Sequence, residues 1–331
     1  MEKVIALVVS YNRQALLAEC IQSLRNQSRK PDAILVINNG STDNTAEWLE
    51  AQSDVFHITQ KNEGSGGGFN TAISWAYKNG YSWMWCMDDD GYPKEDALQQ
   101  LLAVDTPQRS VLNCAVINKE DKTSFVWNTH NYKTIQDVKE DLIEGIVHPF
   151  NGTLLHRSIV EKVGLPKASL FLWGDETEYY YRIVKRYSIP VYTVSKSIHY
   201  HPASAFSYKH DWDFKSTWKM YFYVRNRFHI NKAKHSNNTL AAMHYVLFVI
   251  AFAGTIMVFQ KSDKIKKLNF LFWPMLDAAK NDFAMTPVTI LNRLSKLHAK
   301  PYTFSITAPF RYLYNNIFLH QTSQSSKPAT A

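Results

Sequence analysis

In the first half of the chain, short apolar runs alternate with amphipathic stretches, a pattern of strands joined by helices that predicts a parallel sheet. Polar or glycine-rich segments follow several of these runs, at the sheet edge where open α/β folds bind their ligands. After about Ala205 the composition becomes basic, aromatic and mostly helical.

The spacing of apolar residues predicts the individual elements. Strands are predicted at residues 4–9, 33–37, 55–59, 81–87, 111–117 and 190–194. Helices are predicted around residues 16–24, 48–49, 69–76, 97–102 and 177–186. Residues 153–163 indicate a short strand or turn and a helix that ends at Gly164, and residues 118–148 an irregular insert or hairpin.

These elements divide the chain into three parts. Residues 1–210 form the predicted α/β domain, residues 211–320 a basic and aromatic helical region, and residues 321–331 a disordered tail rich in Ser, Thr, Gln and Pro. The first strand begins so close to Met1 that we expect no signal peptide and a cytoplasmic location.

The apolar run at residues 240–259 is long enough to span a bilayer. His244 and Gly254 weaken that reading, and lysines follow the run directly. We favour a helix that is buried or lies on an anionic membrane surface.

Composition narrows the class of partner. The 331 residues carry a net charge of +8, which favours a nucleotide diphosphate, a nucleic acid or an acidic membrane face. An aromatic content of 14% also suits sugar stacking and membrane interfaces. Cys20, Cys86 and Cys114 lie in apolar segments without metal-site spacing, so we predict core thiols in a reducing compartment.

The triplet Asp88, Asp89 and Asp90 ends the apolar run at residues 81–87. Three carboxylates at a strand end cannot all be charged and desolvated without a partner. A divalent metal that carries a diphosphate would supply one. The alternative is a solvated acidic turn, since Asp-Gly is common in turns. We favour the metal because the neighbouring loops suit a nucleotide-sugar.

Three polar loops are candidates for nucleotide-sugar binding. Ser10, Tyr11, Asn12 and Arg13 follow the first strand. Asn38 and Asn39 follow the second, where an Asx turn that caps the next helix is the alternative. The glycine-rich residues 62–68 would place backbone N–H groups at a helix N-terminus, which suits anions, although a structural glycine turn fits the same residues.

The order of these motifs resembles family 2 glycosyltransferases of the GT-A fold, a Rossmann-like mixed sheet that binds nucleotide-diphospho-sugars. The resemblance covers roughly residues 3–230, and the segments at 173–179, 199–201 and 221–227 are similar to the galactofuranosyl- and rhamnosyltransferase branch. One departure is Asn38, where the family often has an acidic residue near the base or ribose.

The resemblance implies a donor and metal site. The aspartate triplet would be the DXD motif, with Asp88 at the donor ribose or metal shell, Asp89 behind it and Asp90 a ligand of Mn²⁺ or Mg²⁺. His201, or else His199 on the same strand face, would be the metal-ligating histidine. Further donor contacts are implied at Asn62, Gly66, Gly67 and Asn70.

The resemblance also implies an acceptor side. Inverting transfer needs a carboxylate that takes the proton of the acceptor hydroxyl. Alignment with the family's acidic pair, counted back from Tyr179, favours Glu176 over Asp175. Helix capping is the alternative for both residues. Trp173 would stack on an acceptor sugar, or else pack in the core. Arg225 and Arg227 are candidates for a pyrophosphate, or else form a solvated basic face.

We therefore predict a metal-dependent inverting glycosyltransferase. By resemblance its donor is UDP-galactofuranose, with dTDP-rhamnose next. The acceptor is a lipid-linked glycan or polysaccharide of lipopolysaccharide or capsule synthesis, met at the inner face of the cytoplasmic membrane. The alternatives are a nucleotidyltransferase and a non-catalytic glycan- or nucleotide-binding protein. Nucleic acid is not expected, because the acidic triplet opposes binding of a phosphate backbone without metal.

Overall fold

The computed structural model describes residues 2–106, 109–203, 210–213 and 218–299. The strands are β1 (Val4–Ser10), β2 (Ala33–Asn38), β3 (Phe56–Thr59), β4 (Trp83–Asp88), β5 (Tyr92–Pro93), β6 (Val111–Asn118), β7 (Ser124–Thr129), β8 (Tyr132–Thr134), β9 (Leu142–Glu144), β10 (Thr153–His156) and β11 (Val191–His201). The helices are α1 (Gln14–Arg25), α2 (Thr45–Glu50), α3 (Gly64–Lys78), α4 (Ala97–Leu102), α5 (Arg157–Val163), α6 (Asp175–Tyr181), α7 (Lys219–Lys234), α8 (Asn238–Phe259), α9 (Lys264–Lys280) and α10 (Pro287–Ala299).

The central sheet is mixed, as the resemblance to the GT-A fold implies, and not purely parallel as the alternation of strands and helices predicts. Its strand order is β3-β2-β1-β4-β10-β6-β11-β5, with β3, β2, β1 and β4 parallel and β10 antiparallel to both of its neighbours. In this register Ser10 lies opposite Asn38, and Val9 lies opposite Asp88. The polar segments after β1, β2 and β4 therefore meet at one edge of the sheet.

Helices cover both faces of the sheet because its strands are apolar on both sides. In β1, Ile5, Leu7 and Val9 contribute to one core, which includes residues of α3, α5 and α6. Val4, Ala6 and Val8 contribute to the other, which includes residues of α1 and α4. These two cores hold the carboxyl ends of the strands in fixed positions.

Several elements differ in detail from the sequence prediction. The strand predicted at residues 190–194 continues as β11 to His201, with a register shift between Val194 and Ile198. The helix predicted at residues 177–186 begins at Asp175 and ends in a π-helical turn over Arg182–Arg186. The insert at residues 118–148 contains the hairpin β7–β8 and the strand β9. Local propensity does not encode these changes, which depend on packing and pairing.

Helices α7, α8, α9 and α10 contribute to a third core. α8 is the one described helix that is long and apolar enough to cross a membrane, judged by length and composition, and 22% of its apolar window is buried. Its exposed side chains include Met243, Leu247 and Ile250. The predicted boundary near residue 210 stays a prediction, and the predicted tail at 321–331 lies outside the described residues.

Candidate active site

A cavity of about 880 Å³ opens at the carboxyl ends of β1 and β4. One side is the sheet wall, formed by residues 10–13 and 88–90, and the other is the helix wall, formed by residues 171–177. Most of the predicted site residues line the cavity. They are Ser10, Tyr11, Asn12, Arg13, Asn39, Asn62, Asp88, Asp89, Asp90, Trp173, Asp175, Glu176 and His201.

Arg13 is an internal partner of the aspartate triplet. Its Nη1 lies 2.6 Å from Asp90 Oδ2 and 3.2 Å from Asp89 Oδ1. Ser10 Oγ donates a 2.7 Å hydrogen bond to Asp89 Oδ2. Burial still raises the pKa of Asp89 to about 6, and burial and the neighbouring carboxylates raise the pKa of Asp88. Arg13 therefore relieves part of the repulsion that the sequence analysis assigned to a metal alone.

Asp90 and His201 have the geometry of two ligands of one cation. Asp90 Oδ1 is buried, accepts no hydrogen bond, and lies 3.3 Å from His201 Nε2. His201 Nδ1 lies 2.7 Å from the carbonyl oxygen of Pro202, which can only accept, so Nδ1 carries a proton. The lone pair of Nε2 then faces Asp90 Oδ1, and a metal cation between the two atoms could bind both.

The two ligands do not make a complete metal site by themselves. In the part of the chain that the structure describes, no three His, Cys, Asp or Glu side chains form a group that could hold an ion. Hard cations such as Mn²⁺ or Mg²⁺ would fit this oxygen and imidazole pair if a diphosphate and water supplied the remaining ligands. Burial opposes ionisation of Asp90, but His201 and Arg13 lower its pKa to about 2, which keeps it charged.

His199 does not reach the cavity wall. It is fully buried, and a Cβ added at Gly91 would lie 2.3 Å from its Nε2, so Gly91 backbone covers the ring. Burial lowers the pKa of His199 to about 3. Of the two histidines on this strand face, the structure places His201 next to Asp90.

Asn38 and Asn39 hold the loops together. Asn38 is fully buried and accepts a hydrogen bond from Ser41 N, which is the Asx-turn alternative. It also donates a hydrogen bond to Thr59 Oγ1, and it does not line the cavity. Asn39 lines the cavity and donates a 2.9 Å hydrogen bond to the carbonyl oxygen of Gly64. The loop after β2 is thus tied to the start of α3.

The glycines of residues 62–68 lie mostly inside α3, which begins at Gly64. A Cβ at Gly66 would lie 3.1 Å from the Cβ of Asp175, and one at Gly67 would lie 2.3 Å from the Cβ of Glu63. Neither glycine lines the cavity, and Asn70 instead donates to the carbonyl oxygen of Pro166. Gly66 lets α3 approach the helix wall closely, whereas Gly67 leaves room for Glu63 at the start of the same helix.

Asp175 and Glu176 begin α6 and both line the cavity. Asp175 is 1% exposed; its Oδ2 accepts a 2.9 Å hydrogen bond from Ser65 Oγ, and its Oδ1 has no partner. Burial, together with Glu176, raises the pKa of Asp175 well above its usual range. Glu176 is less buried and accepts a hydrogen bond from Gly174 N, so it also caps the helix. The pair can take up a proton from a bound hydroxyl.

The helix wall has an unusual backbone. Phe171, Trp173 and Gly174 have φ of 67°, 55° and 132°. Asn226 of α7 stabilises this segment by donating hydrogen bonds of 2.9 Å and 2.8 Å to the carbonyl oxygens of Leu170 and Leu172. Trp173 is held at the cavity by these contacts.

Arg225 does not have either of its predicted roles. It is fully buried and donates hydrogen bonds to the carbonyl oxygens of Ser169 and Leu170. Contact with a pyrophosphate and a place on a solvated face are therefore both wrong, because α7 packs directly against the helix wall.

Sequence reasoning missed several side chains of the cavity, among them Trp127, His148 and Lys219. The ring of Trp127 lies 5.2 Å from that of His148 and 4.9 Å from that of His201. Lys219 Nζ lies 5.6 Å from the ring centroid of Trp173, and burial lowers its pKa. Lys219 lies two residues before the aromatic run at residues 221–223, but no spacing marks it, or Trp127 and His148, as part of this site.

Comparison with known proteins identifies the family. Residues 5–164 match the family model described as Glycosyl transferase family 2. Galactofuranosyltransferase GlfT1 of Mycolicibacterium smegmatis is 30% identical over 223 residues, which cover 63% of this chain and 74% of that protein. This chain belongs to glycosyl transferase family 2.

A second relative agrees with this family assignment, and a solved structure shows the same fold. GlfT1 of Mycobacterium tuberculosis is 28% identical over 222 residues, which cover 63% of this chain and 73% of that protein. The crystal structure of S. aureus TarS aligns with a TM-score of 0.52 at 14% identity, over 96% of this chain and 53% of the TarS chain. That likeness confirms the GT-A fold. The chain is thus a glycosyltransferase that binds a nucleotide-sugar donor and a glycan acceptor, and the comparisons do not support the nucleotidyltransferase and non-catalytic alternatives.

Proposed function

We propose that this glycosyltransferase uses a divalent metal to move a galactofuranosyl residue from UDP-galactofuranose, with inversion, to an acceptor of cell-surface glycan synthesis. dTDP-rhamnose is the next candidate donor. The observation that carries the proposal is the meeting, in one cavity, of the Asp90–His201 pair with the carboxylates of Asp175 and Glu176. The names of the GlfT1 relatives support the choice of sugar.

On the sheet wall, Asp90 and His201 would hold Mn²⁺ or Mg²⁺, which when bound neutralises the diphosphate leaving group. Arg13 and Lys219 add positive charge to the same cavity. Ser10 and Arg13 keep Asp89 in place, while Ser10, Tyr11, Asn12 and Asn39 are proposed to contact the nucleotide. The sheet wall thus binds the donor and stabilises charge on the departing diphosphate.

On the helix wall, one carboxylate takes the proton of the acceptor hydroxyl while the hydroxyl oxygen attacks the anomeric carbon. We retain Glu176 as the proposed base because it is the more open of the two to the cavity. Asp175 is the alternative, since its Oδ1 is unpartnered. Trp173 would stack on the acceptor sugar beside this base.

The acceptor is proposed to be a lipid-linked glycan or a polysaccharide, used in lipopolysaccharide or capsule synthesis. The exposed apolar face of α8, followed by Lys261 and Lys264, suits peripheral contact with the anionic inner face of the cytoplasmic membrane. The net charge of +8 favours the same contact.

An assay of nucleotide release tests this function. The purified protein is incubated with UDP-galactofuranose, UDP-galactopyranose or dTDP-rhamnose, with Mn²⁺ or EDTA, and with membrane extract as the source of acceptor. We expect acceptor-dependent release of UDP from UDP-galactofuranose that EDTA abolishes. If dTDP is released from dTDP-rhamnose and no UDP is released, the donor is dTDP-rhamnose. Activity unaffected by EDTA would contradict the proposed metal requirement.

A further inference from the structure

We propose that a small pocket beside the active-site cavity binds the phosphate that joins the acceptor sugar to its lipid carrier. The inference rests on the proposed function and adds the chemistry of the acceptor. The pocket has a volume of about 210 Å³ and shares Trp173, Glu176 and Thr177 with the main cavity. Tyr223, Arg227 and Ile230 of α7 form its other side.

Arg227 is the group that would bind the phosphate. Its guanidinium carbon lies 5.0 Å from the ring centroids of both Tyr223 and Phe248, so two aromatic faces hold it. Its Nε is buried without a hydrogen-bond partner, and it forms no ion pair with any acidic residue in the described ranges. Arg225, two residues earlier, donates instead to backbone carbonyls. Arg227 therefore keeps N–H donors in the fork geometry that matches a phosphate.

The pocket combines two complementary charges. Among the described residues that line it, Arg227 is the one cation and Glu176 the one carboxylate. A sugar that presents a hydroxyl to Glu176 and a phosphate to Arg227 would satisfy both groups. A neutral glycan would leave the guanidinium unpaired, so the pocket favours a sugar phosphate over an uncharged polysaccharide end.

The surroundings of Arg227 indicate where the lipid would lie. Phe248, which covers its guanidinium, belongs to α8. Beside it on the helix surface, Leu247 is 59% exposed, and Ala251, three residues after Phe248, is also exposed. An isoprenoid chain that leaves a phosphate at Arg227 can follow this apolar face into the membrane. The occupant we assign is therefore a polyprenyl phosphate or diphosphate.

Calorimetric titration tests the assignment on the full chain, first saturated with UDP and Mg²⁺ so that the donor diphosphate site is filled. The probes are geranylgeranyl diphosphate, inorganic pyrophosphate and geranylgeraniol. We expect Arg227→Met to weaken binding of both diphosphates about tenfold or more, and Arg227→Lys to weaken it less. Lys232→Met is the matched control, because Lys232 lies over the Phe228 ring on the same helix but outside the pocket. This variant should bind both diphosphates like the wild type. Geranylgeraniol, which has no phosphate, should bind equally to all variants.

Equal affinity of wild type and Arg227→Met for geranylgeranyl diphosphate would overturn the assignment. A separate experiment uses vesicles of phosphatidylglycerol without prenyl diphosphate. If Arg227→Met weakens binding to these vesicles as much as binding to geranylgeranyl diphosphate, the pocket binds bilayer headgroups and the assignment is also overturned. The affinity for UDP shows whether each variant is folded. If Arg227→Met no longer binds UDP, the comparison of wild type with Arg227→Lys tests the assignment instead. Loss of UDP binding by the wild type itself would instead refute the proposed function.

Discussion

The two walls of the cavity are stabilised in different ways. The sheet wall follows strand register, which places Val9 opposite Asp88 and Ser10 opposite Asn38. The helix wall depends on distant residues, since Asn226 of α7 holds the carbonyl groups of Leu170 and Leu172.

This difference has an energetic origin. Positive φ at bulky residues such as Phe171 and Trp173 costs on the order of 1–3 kcal/mol each. The packing around these two residues must offset that cost, and much of this packing comes from α7. The helical extension is therefore expected to matter for the acceptor side more than for the donor side, and the following predictions test that division.

The largest expected effect is on the proposed base. Glu176→Gln should lower kcat about 10²–10⁴-fold with donor affinity unchanged, because the helix wall supplies the proton acceptor and the sheet wall binds the donor. Single-turnover kinetics and UDP titration separate the two quantities. If Asp175→Asn alone shows this behaviour, the base lies one residue earlier than proposed.

The second prediction concerns α8. Ile250→Glu should weaken binding to anionic vesicles about tenfold or more, because it removes apolar contact and adds repulsion. Phe56→Glu is the control, since Phe56 is 54% exposed on the sheet domain, against 63% for Ile250. High salt or alkaline carbonate should release the wild type from membranes, and resistance to both would show a spanning helix instead.

The third prediction compares two buried amides. Asn226→Ala should lower the free energy of unfolding by about 1–3 kcal/mol and raise KM for the acceptor, because carbonyl groups of the helix wall lose their donor. Gln27 donates to the carbonyl oxygen of Lys94 and accepts from Leu98 N on the α1 side. Gln27→Ala should destabilise similarly without changing KM. If both variants change KM for the acceptor equally, the helix wall does not depend on α7 in the way proposed here.

The last prediction concerns the pH dependence of stability. Burial lowers the pKa of His229 in α7 to about 4, so between that pH and about 6.5 the unfolded chain binds a proton that the folded chain does not. Stability should therefore fall as pH falls through this range, by at most about 1.4 kcal/mol per pH unit from this residue. Urea unfolding of His229→Asn should show a shallower loss than the wild type, whereas His57→Asn, at an exposed position, should not.

The sequence predicted the sheet wall better than the helix wall. Buried strands and the Asp-Gly turn after Asp90 have local signatures, so the strands and the triplet were found at nearly the right residues. Gly66 was expected at an anion, but its role depends on how closely Asp175 approaches α3. That approach is tertiary and has no local signature.

The same limit explains the missed residues. Arg225 is buried because α7 packs on residues 169–170, more than 50 positions earlier in the chain. Lys219, Trp127 and His148 reach the cavity from three separate segments. A single sequence without tertiary contacts gives no reason to group them.

The most direct test of the account is a thermal-shift measurement with UDP, in the presence of Mn²⁺ or EDTA, on the wild type and Asp90→Ala. A cation shared by Asp90, His201 and the diphosphate predicts that UDP raises the Tm of the wild type only with Mn²⁺. Asp90→Ala should fold but show no such metal-dependent shift. An equal shift in the variant, or a full shift of the wild type in EDTA, would contradict the central claim.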